Sequence, residues 1–190
     1  MRVAILISGR GSNMAAILAA VADGRLQADI VGVLSNVPTA GGLEIAKQYG
    51  VPTAVVNHRE FISREAYEMG VSQVLLSWGA EFVVLAGYMR LVGPTLLGPF
   101  LGKMVNIHPS LLPDFKGLHA QRQALAAGVS HSGCTVHWVD DTLDGGEIID
   151  QAHVPVLPND TEETLTARIL EAEHRLYVDV LSRIFSKLNA

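Results

Sequence analysis

Val105-Asn106-Ile107-His108-Pro109-Ser110-Leu111-Leu112-Pro113 begins as a strand and stops at a proline. Side chains at i and i+2 of a strand share a face, so Asn106 and His108 point the same way. Pro109 biases His108 to extended geometry and ends the strand's hydrogen bonding. An amide and an imidazole therefore stand side by side at the carboxyl end of a strand, where open α/β sheets bind ligands.

The flanking pattern supports such a sheet. Val3-Ala4-Ile5-Leu6-Ile7 is a continuous apolar run, as expected of a buried parallel strand. Further strands are predicted over Ile30 to Ser35, Thr53 to Val56, Phe82 to Ala86 and Lys103 to Ile107. Helices are predicted between them, from about Met14 to Asp23, from an opening Gly41-Gly42 to about Tyr49 and from Ser63 to Ala80. This alternation predicts an α/β fold with a mainly parallel twisted sheet and helices on both faces. After His108 the pattern changes. Ser110 to Gly117 has no periodicity, and Gln121 to Ala127 is a short helix. Cys134 to Val139 and Ile148 to Val156 form a hairpin-like antiparallel addition. Asp160 with Glu163 is expected to form a capping box for a last helix over Thr161 to Ser186. Its apolar stripe is Leu165, Ile169, Ala172, Leu176 and Val180.

The 190 residues are 49% apolar and 17% charged, which describes one globular domain, expected to span 1–190, with a full core. The net charge is −5 with no basic cluster, so nucleic acid is not an expected partner. Cys134 is the only cysteine, which precludes an internal disulfide and fits a reducing compartment. No apolar run approaches the ~18 residues of a membrane span. The apolar stretch from Met14 to Ala22 follows Gly9, Gly11, Ser12 and Asn13, where a secretory signal would carry basic residues. The expected location is the cytoplasm.

Asn106 and His108 suit acyl transfer. The amide can donate to an oxygen as it becomes negative, and the imidazole can carry a proton. A carboxylate is needed to hold and charge the imidazole. Asp144, in a turn closed by Gly145-Gly146, is the candidate. Gly9-Arg10-Gly11-Ser12-Asn13 turns from the first strand into the first helix and offers free N–H groups to one phosphate. The dinucleotide fingerprint fails at Met14, and no Gly-Lys-Ser/Thr follows, so a sugar monophosphate fits better than NAD or ATP. The loop alone leaves open a bare turn in which Ser12 or Asn13 is an ordinary N-cap.

Asn106-Ile107-His108-Pro109-Ser110-Leu111-Leu112-Pro113, followed by Leu143-Asp144-Gly145-Gly146, resembles the formyltransferase family that uses 10-formyltetrahydrofolate, over nearly the whole chain. The resemblance implies a Rossmann-like fold with an added antiparallel strand. It also implies formyl transfer from 10-formyltetrahydrofolate, as co-substrate, to the amine of glycinamide ribonucleotide in purine biosynthesis. Asn106, His108 and Asp144 would be catalytic. Gly11, Ser12 and Asn13 would hold the phosphate, with Leu170, Glu171, Ala172 and Glu173 at the ribose. Met89, Arg90, Leu91 and Val92 would meet the pterin, together with Asn106 and the run Asp140, Asp141, Thr142, Leu143 and Asp144. Arg64 would meet the folate's other end. A monomer or homodimer is expected.

Pattern alone leaves blander readings for some of these residues. Arg64 reads equally well as a solvated surface arginine. Glu173 sits at the border of the apolar stripe, where charged side chains lean towards water. His119, His131, His137 and His153 lack metal-ligand spacing, so no metal is expected. His137 either lines a pocket or is a satisfied core histidine. The segment from Ser110 to about Ser130 is a candidate lid.

Two rivals within the superfamily are expected to differ by extra domains. Methionyl-tRNA formyltransferase adds one at the carboxyl end, and formyltetrahydrofolate hydrolase adds one at the amino end. A rival of another class, a non-catalytic sugar-phosphate-binding module, needs only the glycine loop.

Overall fold

The computed structural model describes residues 1–188. Parallel strands β1 (Arg2–Ile7), β2 (Asp29–Ser35), β3 (Thr53–Val55), β4 (Phe82–Leu85) and β5 (Met104–His108) are joined by helical crossovers. Then β6 (His131–Trp138) runs antiparallel to β5, and β7 (Ile148–Pro155) antiparallel to β6. The seven strands are ordered β3-β2-β1-β4-β5-β6-β7. The order reverses between β1 and β4, and a crevice opens at such a switch point.

Alternation along β1 sorts the helices. Val3, Ile5 and Ile7 face one core with helices α1 (Ser12–Ala22), α2 (Gly42–Gln48), α6 (Glu162–Leu188) and, through Leu125, α5 (Ala120–Ala127). Ala4 and Leu6 face the other with α3 (Arg64–Ser77) and α4 (Pro94–Leu97). β1 and β4, in the middle of the sheet, are buried on both sides, which is why they read as unbroken apolar runs. Tyr177, buried in α6, points its hydroxyl at Leu85 O (2.8 Å) and Val105 O (3.1 Å), pinning that helix across the ends of β4 and β5.

Several boundaries differ from expectation. α1 begins at Ser12 rather than Met14, because Gly11 adopts φ 74° and is itself the N-cap, with no side-chain capping bond. Neither Ser12 nor Asn13 caps the helix. The capping box of α6 is Thr161 with Thr164, not Asp160 with Glu163. Thr164 N–H donates to Thr161 Oγ1 (3.3 Å) and Thr161 N–H to Thr164 Oγ1 (2.9 Å). Asp160 instead pairs with Arg168 (2.7 Å) and accepts from Leu157 N–H, which holds its carboxyl well below the usual range. α3 ends at Ser77, three residues before the expected Ala80, where Gly79 turns left-handed at φ 65°. α4 was not expected, because four residues are too few to show a helical period. Pro94 at its first position is the local signal.

After β5 the chain is stapled to the antiparallel pair. Thr135 Oγ1 donates to Ser110 O (2.7 Å) and accepts from Leu112 N–H (3.0 Å) and Gln151 Nε2 (2.9 Å). Ser110 and Leu112 are buried. The expected lid therefore cannot include Ser110–Leu112, which belongs to the framework. The Leu112–Pro113 peptide bond is cis.

Candidate active site

A cleft of about 800 Å³ opens over the carboxyl ends of β1, β4 and β5. That size accommodates small-molecule ligands. It is lined by the glycine loop after β1, the Gly87–Val92 segment after β4, the loop between β6 and β7, the Gly117–Gln121 stretch and one turn of α6.

Asn106 and His108 stand at its centre, on one face of β5 as the strand period requires. The antiparallel register sets His137 of β6 opposite Asn106. His137 Nδ1 lies 2.8 Å from the Trp138 carbonyl, which can only accept, so Nδ1 carries the proton. Nε2 then accepts from the Asn106 amide nitrogen at 3.3 Å. Burial lowers the pKa of His137 and favours this neutral form. Both readings of His137 hold: it is a satisfied buried histidine, and it lines the cleft. Its contact turns the amide group of Asn106.

His108 is 5% exposed. Its Nε2 lies 2.9 Å from Phe115 O, and its Nδ1 lies 3.4 Å from Asp144 Oδ2. Both ring nitrogens face acceptors, an arrangement that suits an imidazolium. Phe115 itself adopts φ 54° to present that carbonyl. Asp144 also takes a left-handed backbone, φ 45°, and accepts from Gly117 N–H at 2.9 Å. The turn that aims it needs its glycines. A Cβ on Gly146 would meet Trp138 O at 1.8 Å. Asp140 closes the same loop through Thr142 N–H (2.8 Å) and Thr142 Oγ1 (2.6 Å), and that hydroxyl is the main cause of its lowered pKa.

At the glycine-loop end, Gly11, Ser12 and Asn13 line the cleft. Glycine is required at 11 twice over, for its φ of 74° and because a Cβ would lie 2.9 Å from Gly42 Cα. Glu173 does not lean out. It is 4% exposed and accepts from Asn13 Nδ2 at 2.8 Å. Burial pushes its carboxyl up to about 7 against the lowering effect of Asn13. Asn13 Oδ1 is buried with no partner among the described residues. Leu170 and Glu173, three apart on one helix face, line the cleft together. Glu171 does not reach it and is exposed, while Ala172 packs into the core beneath α6.

At the other end, Met89, Arg90, Leu91 and Val92 line the cleft, as do Asp140, Thr142, Leu143 and Asp144. Asp141 is exposed and outside it. Arg64 is outside it too. Its side chain is 45% exposed and paired with Glu68 at 2.8 Å, so it is neither a free surface arginine nor a wall of the cleft.

Sequence reading missed Ser8, Arg10 and His119, which also line the cleft. Ser8 Oγ accepts from Met89 N–H (2.7 Å) and donates to Asn36 Oδ1 (2.5 Å), tying the two sheet-edge loops together. Adjacency to the glycine loop was the available signal for Ser8 and Arg10. Among the described residues no group of three or more His, Cys, Asp or Glu is placed to hold a metal ion, and no helix is long and apolar enough to cross a membrane.

Residues 1–181 match the model of the family described as formyl transferase. The trifunctional purine biosynthetic protein adenosine-3 of Drosophila pseudoobscura pseudoobscura is 48% identical over 97% of this chain, which spans only 14% of that protein's length. Phosphoribosylglycinamide formyltransferase of Escherichia coli (strain K12) is 43% identical over 96% of this chain and 86% of its own. The crystal structure of phosphoribosylglycinamide formyltransferase from Bacillus halodurans superposes with a TM-score of 0.96 at 46% identity, covering 99% of this chain and 97% of that one.

Proposed function

The chain belongs to the formyl transferase family, and from that premise we propose that it transfers the formyl group of 10-formyltetrahydrofolate to the amine of 5′-phosphoribosylglycinamide. The products are formylglycinamide ribonucleotide and tetrahydrofolate, in purine biosynthesis. One observation carries the reading. Asn106, His108 and Asp144 converge at the middle of a cleft with a phosphate-sized glycine loop at one end and an apolar segment at the other.

The donor supplies an activated one-carbon group on a nitrogen. Met89, Leu91, Val92 and Leu143 offer apolar walls for its flat heterocycle, and exposed backbone beside them offers hydrogen bonds. The N–H groups at the start of α1 take the acceptor's phosphate, and Glu173 takes its ribose hydroxyls. With both ends held, the amine and the formyl carbon meet beside Asn106 and His108, which makes the encounter intramolecular. The Asn106 amide donates to the formyl oxygen as charge develops on it. His108, when protonated, shares that task and carries a proton towards the leaving nitrogen through its Nε2–H, which exchanges the Phe115 carbonyl for the substrate while Nδ1–H stays on Asp144. Asp144 accepts from His108 Nδ1 and keeps the ring oriented.

The deciding assay incubates the purified protein with glycinamide ribonucleotide and 10-formyltetrahydrofolate. Formylglycinamide ribonucleotide, appearing in step with tetrahydrofolate, is the expected product. Formate release alone, formylation of an aminoacyl-tRNA, or binding without turnover would replace this reading with one of its rivals.

A further inference from the structure

We propose that Glu68 is the positioning residue of the folate end of the cleft, a single buried carboxylate that holds the Met89–Val92 segment and the Arg64 guanidinium in one fixed arrangement. The proposal rests on the formyl-transfer reading above and extends it to a residue that touches neither substrate.

Glu68 lies in the second turn of α3, its side chain is 2% exposed, and it does not line the cleft. A buried carboxylate without partners is strongly destabilising. This one is surrounded by donors: Arg64 Nε at 2.8 Å, Gly93 N–H at 2.7 Å and Leu96 N–H at 3.3 Å. The last two are the groups a capping box would satisfy. Gly93 is the N-cap of α4 and has no side chain to cap with, and Leu96 is the third helical residue. Glu68 supplies both halves of that box from a different helix. The fit depends on glycine at 93, where a Cβ would come within 2.6 Å of Glu68 Oε1 and 2.9 Å of Arg64 Nη2.

The same turn of α3 holds the segment at two more places. The Tyr67 hydroxyl hydrogen-bonds that of Tyr88. The Arg90 guanidinium lies over the Tyr67 ring at 5.7 Å from its centroid. Residues 88–93 are thus fastened to α3, while Met89 and Leu91 stay exposed at the cleft. Arg64 is held by its Nε, and its outer nitrogens remain on a half-exposed side chain beside Gly93. A guanidinium fixed in this way can meet a carboxylate on a ligand leaving the cleft past Val92.

The test uses full-length wild type, Glu68→Gln, which keeps shape and removes charge, and Glu68→Asp, which keeps charge and shortens reach. kcat and both KM values are measured, with the Kd of tetrahydrofolate by calorimetry and the Tm. Glu68→Gln is expected to raise the donor KM and the tetrahydrofolate Kd about tenfold, because the segment and the Arg64 guanidinium must then be ordered as the ligand binds. The KM for glycinamide ribonucleotide and kcat at saturating donor should stay within about twofold, because these interactions lie at one end of the cleft. Glu68→Asp should fall between wild type and Glu68→Gln on the donor side alone. In the Glu68→Gln background, Arg64→Ala should cost less than in wild type, since its guanidinium is no longer oriented. Equal donor KM in wild type and Glu68→Gln, or parallel damage to both KM values in Glu68→Asp, would overturn the proposal. A wild-type protein that forms no product removes the formyl-transfer reading instead. Should Glu68→Gln not fold, Glu68→Asp decides the matter by the same criterion.

Discussion

At the glycine-loop end of the cleft, Asn13 and Glu173 are 8% and 4% exposed, whereas at the folate end Met89 and Leu91 are 66% and 55% exposed. The first end is built from backbone: a left-handed glycine, the start of α1 and one carboxylate packed behind it. The second is built from side chains on a segment that is fastened from outside the cleft, through Tyr67 and Glu68. Backbone construction suits a small, strongly hydrated anion that needs several N–H groups in fixed positions. Side-chain construction suits a large flat ligand that gains most from apolar contact. Changes at the first end therefore reach the fold itself, and changes at the second can be confined to affinity.

The largest expected effect lies between the two ends. Asn106→Ala or His108→Ala should lower kcat by about 100- to 1000-fold, the usual cost of losing an oxyanion donor. Both KM values should hold, because neither residue anchors a ligand remote from the reacting atoms. Steady-state kinetics with each substrate varied would check this. A KM rise confined to the donor would move Asn106 from the chemistry to the folate end.

Asp144→Asn should come next, lowering kcat by on the order of 100-fold, part of what positioned proton transfer contributes. The substitution removes the acceptor charge 3.4 Å from His108 Nδ1 and keeps the turn, whose Gly145 and Gly146 are untouched. Tm should change little. A variant with normal kcat and a raised donor KM would make Asp144 a folate-loop residue only.

The contrast between the ends is sharpened by Ser12→Asp. Gly11 is the wrong place to test the phosphate loop, since any side chain there meets Gly42 and strains a φ of 74°. Ser12 is the first helical residue of α1, where aspartate is tolerated or stabilising. The same carboxylate would repel a phosphate. The KM for glycinamide ribonucleotide should rise roughly tenfold or more at low salt and less at high salt, through screened charge repulsion. The donor KM should not move. Equal rises at both ends would mean the cleft does not divide as described.

What was legible in the sequence follows the same division. Buried strands announce themselves as apolar runs, and Asn106 with His108 follows from a period of two. Asp144 could be picked out because Gly145 and Gly146 mark a tight turn beside it. For Glu173 the apolar stripe alone suggests a side chain leaning towards water, and only the family resemblance places it at the ribose, because a helical stripe shows only its own helix. Nothing in 165–180 reveals that the start of α1 lies against it with Asn13 as donor. Glu68 was missed for the same reason, as its backbone donors are 25 and 28 residues away. The Asp160–Glu163 box was a local inference in which a neighbouring pair, Thr161 and Thr164, had equal claim, and Arg168 drew Asp160 away. Long-range polar pairing has no period, so only the fold reveals it.

The smallest effect on turnover concerns Glu173, and it tests whether the buried end carries an electrostatic cost of its own. Burial raises its carboxyl from 4.5 to about 7. A raised carboxyl favours the protonated form in the folded state, so its contribution to stability is fully present below about pH 4.5 and is lost as pH rises through about 7. At about 1.4 kcal/mol per unit, the difference amounts to roughly 3 kcal/mol between those limits. Glu173→Gln removes the titration and keeps an oxygen for the Asn13 amide to donate to. Urea unfolding of both proteins at pH 5, 6, 7 and 8 should give curves that converge at the acid end. Towards pH 8 the variant should become the more stable by an amount of that order. The KM for glycinamide ribonucleotide should rise only a few-fold, because an amide oxygen still accepts from a hydroxyl, though more weakly than a carboxylate. Parallel stability profiles would show that the Asn13 contact offsets the burial of Glu173 in full. The glycine-loop end would then carry no charge penalty, and its difference from the folate end would be one of geometry alone.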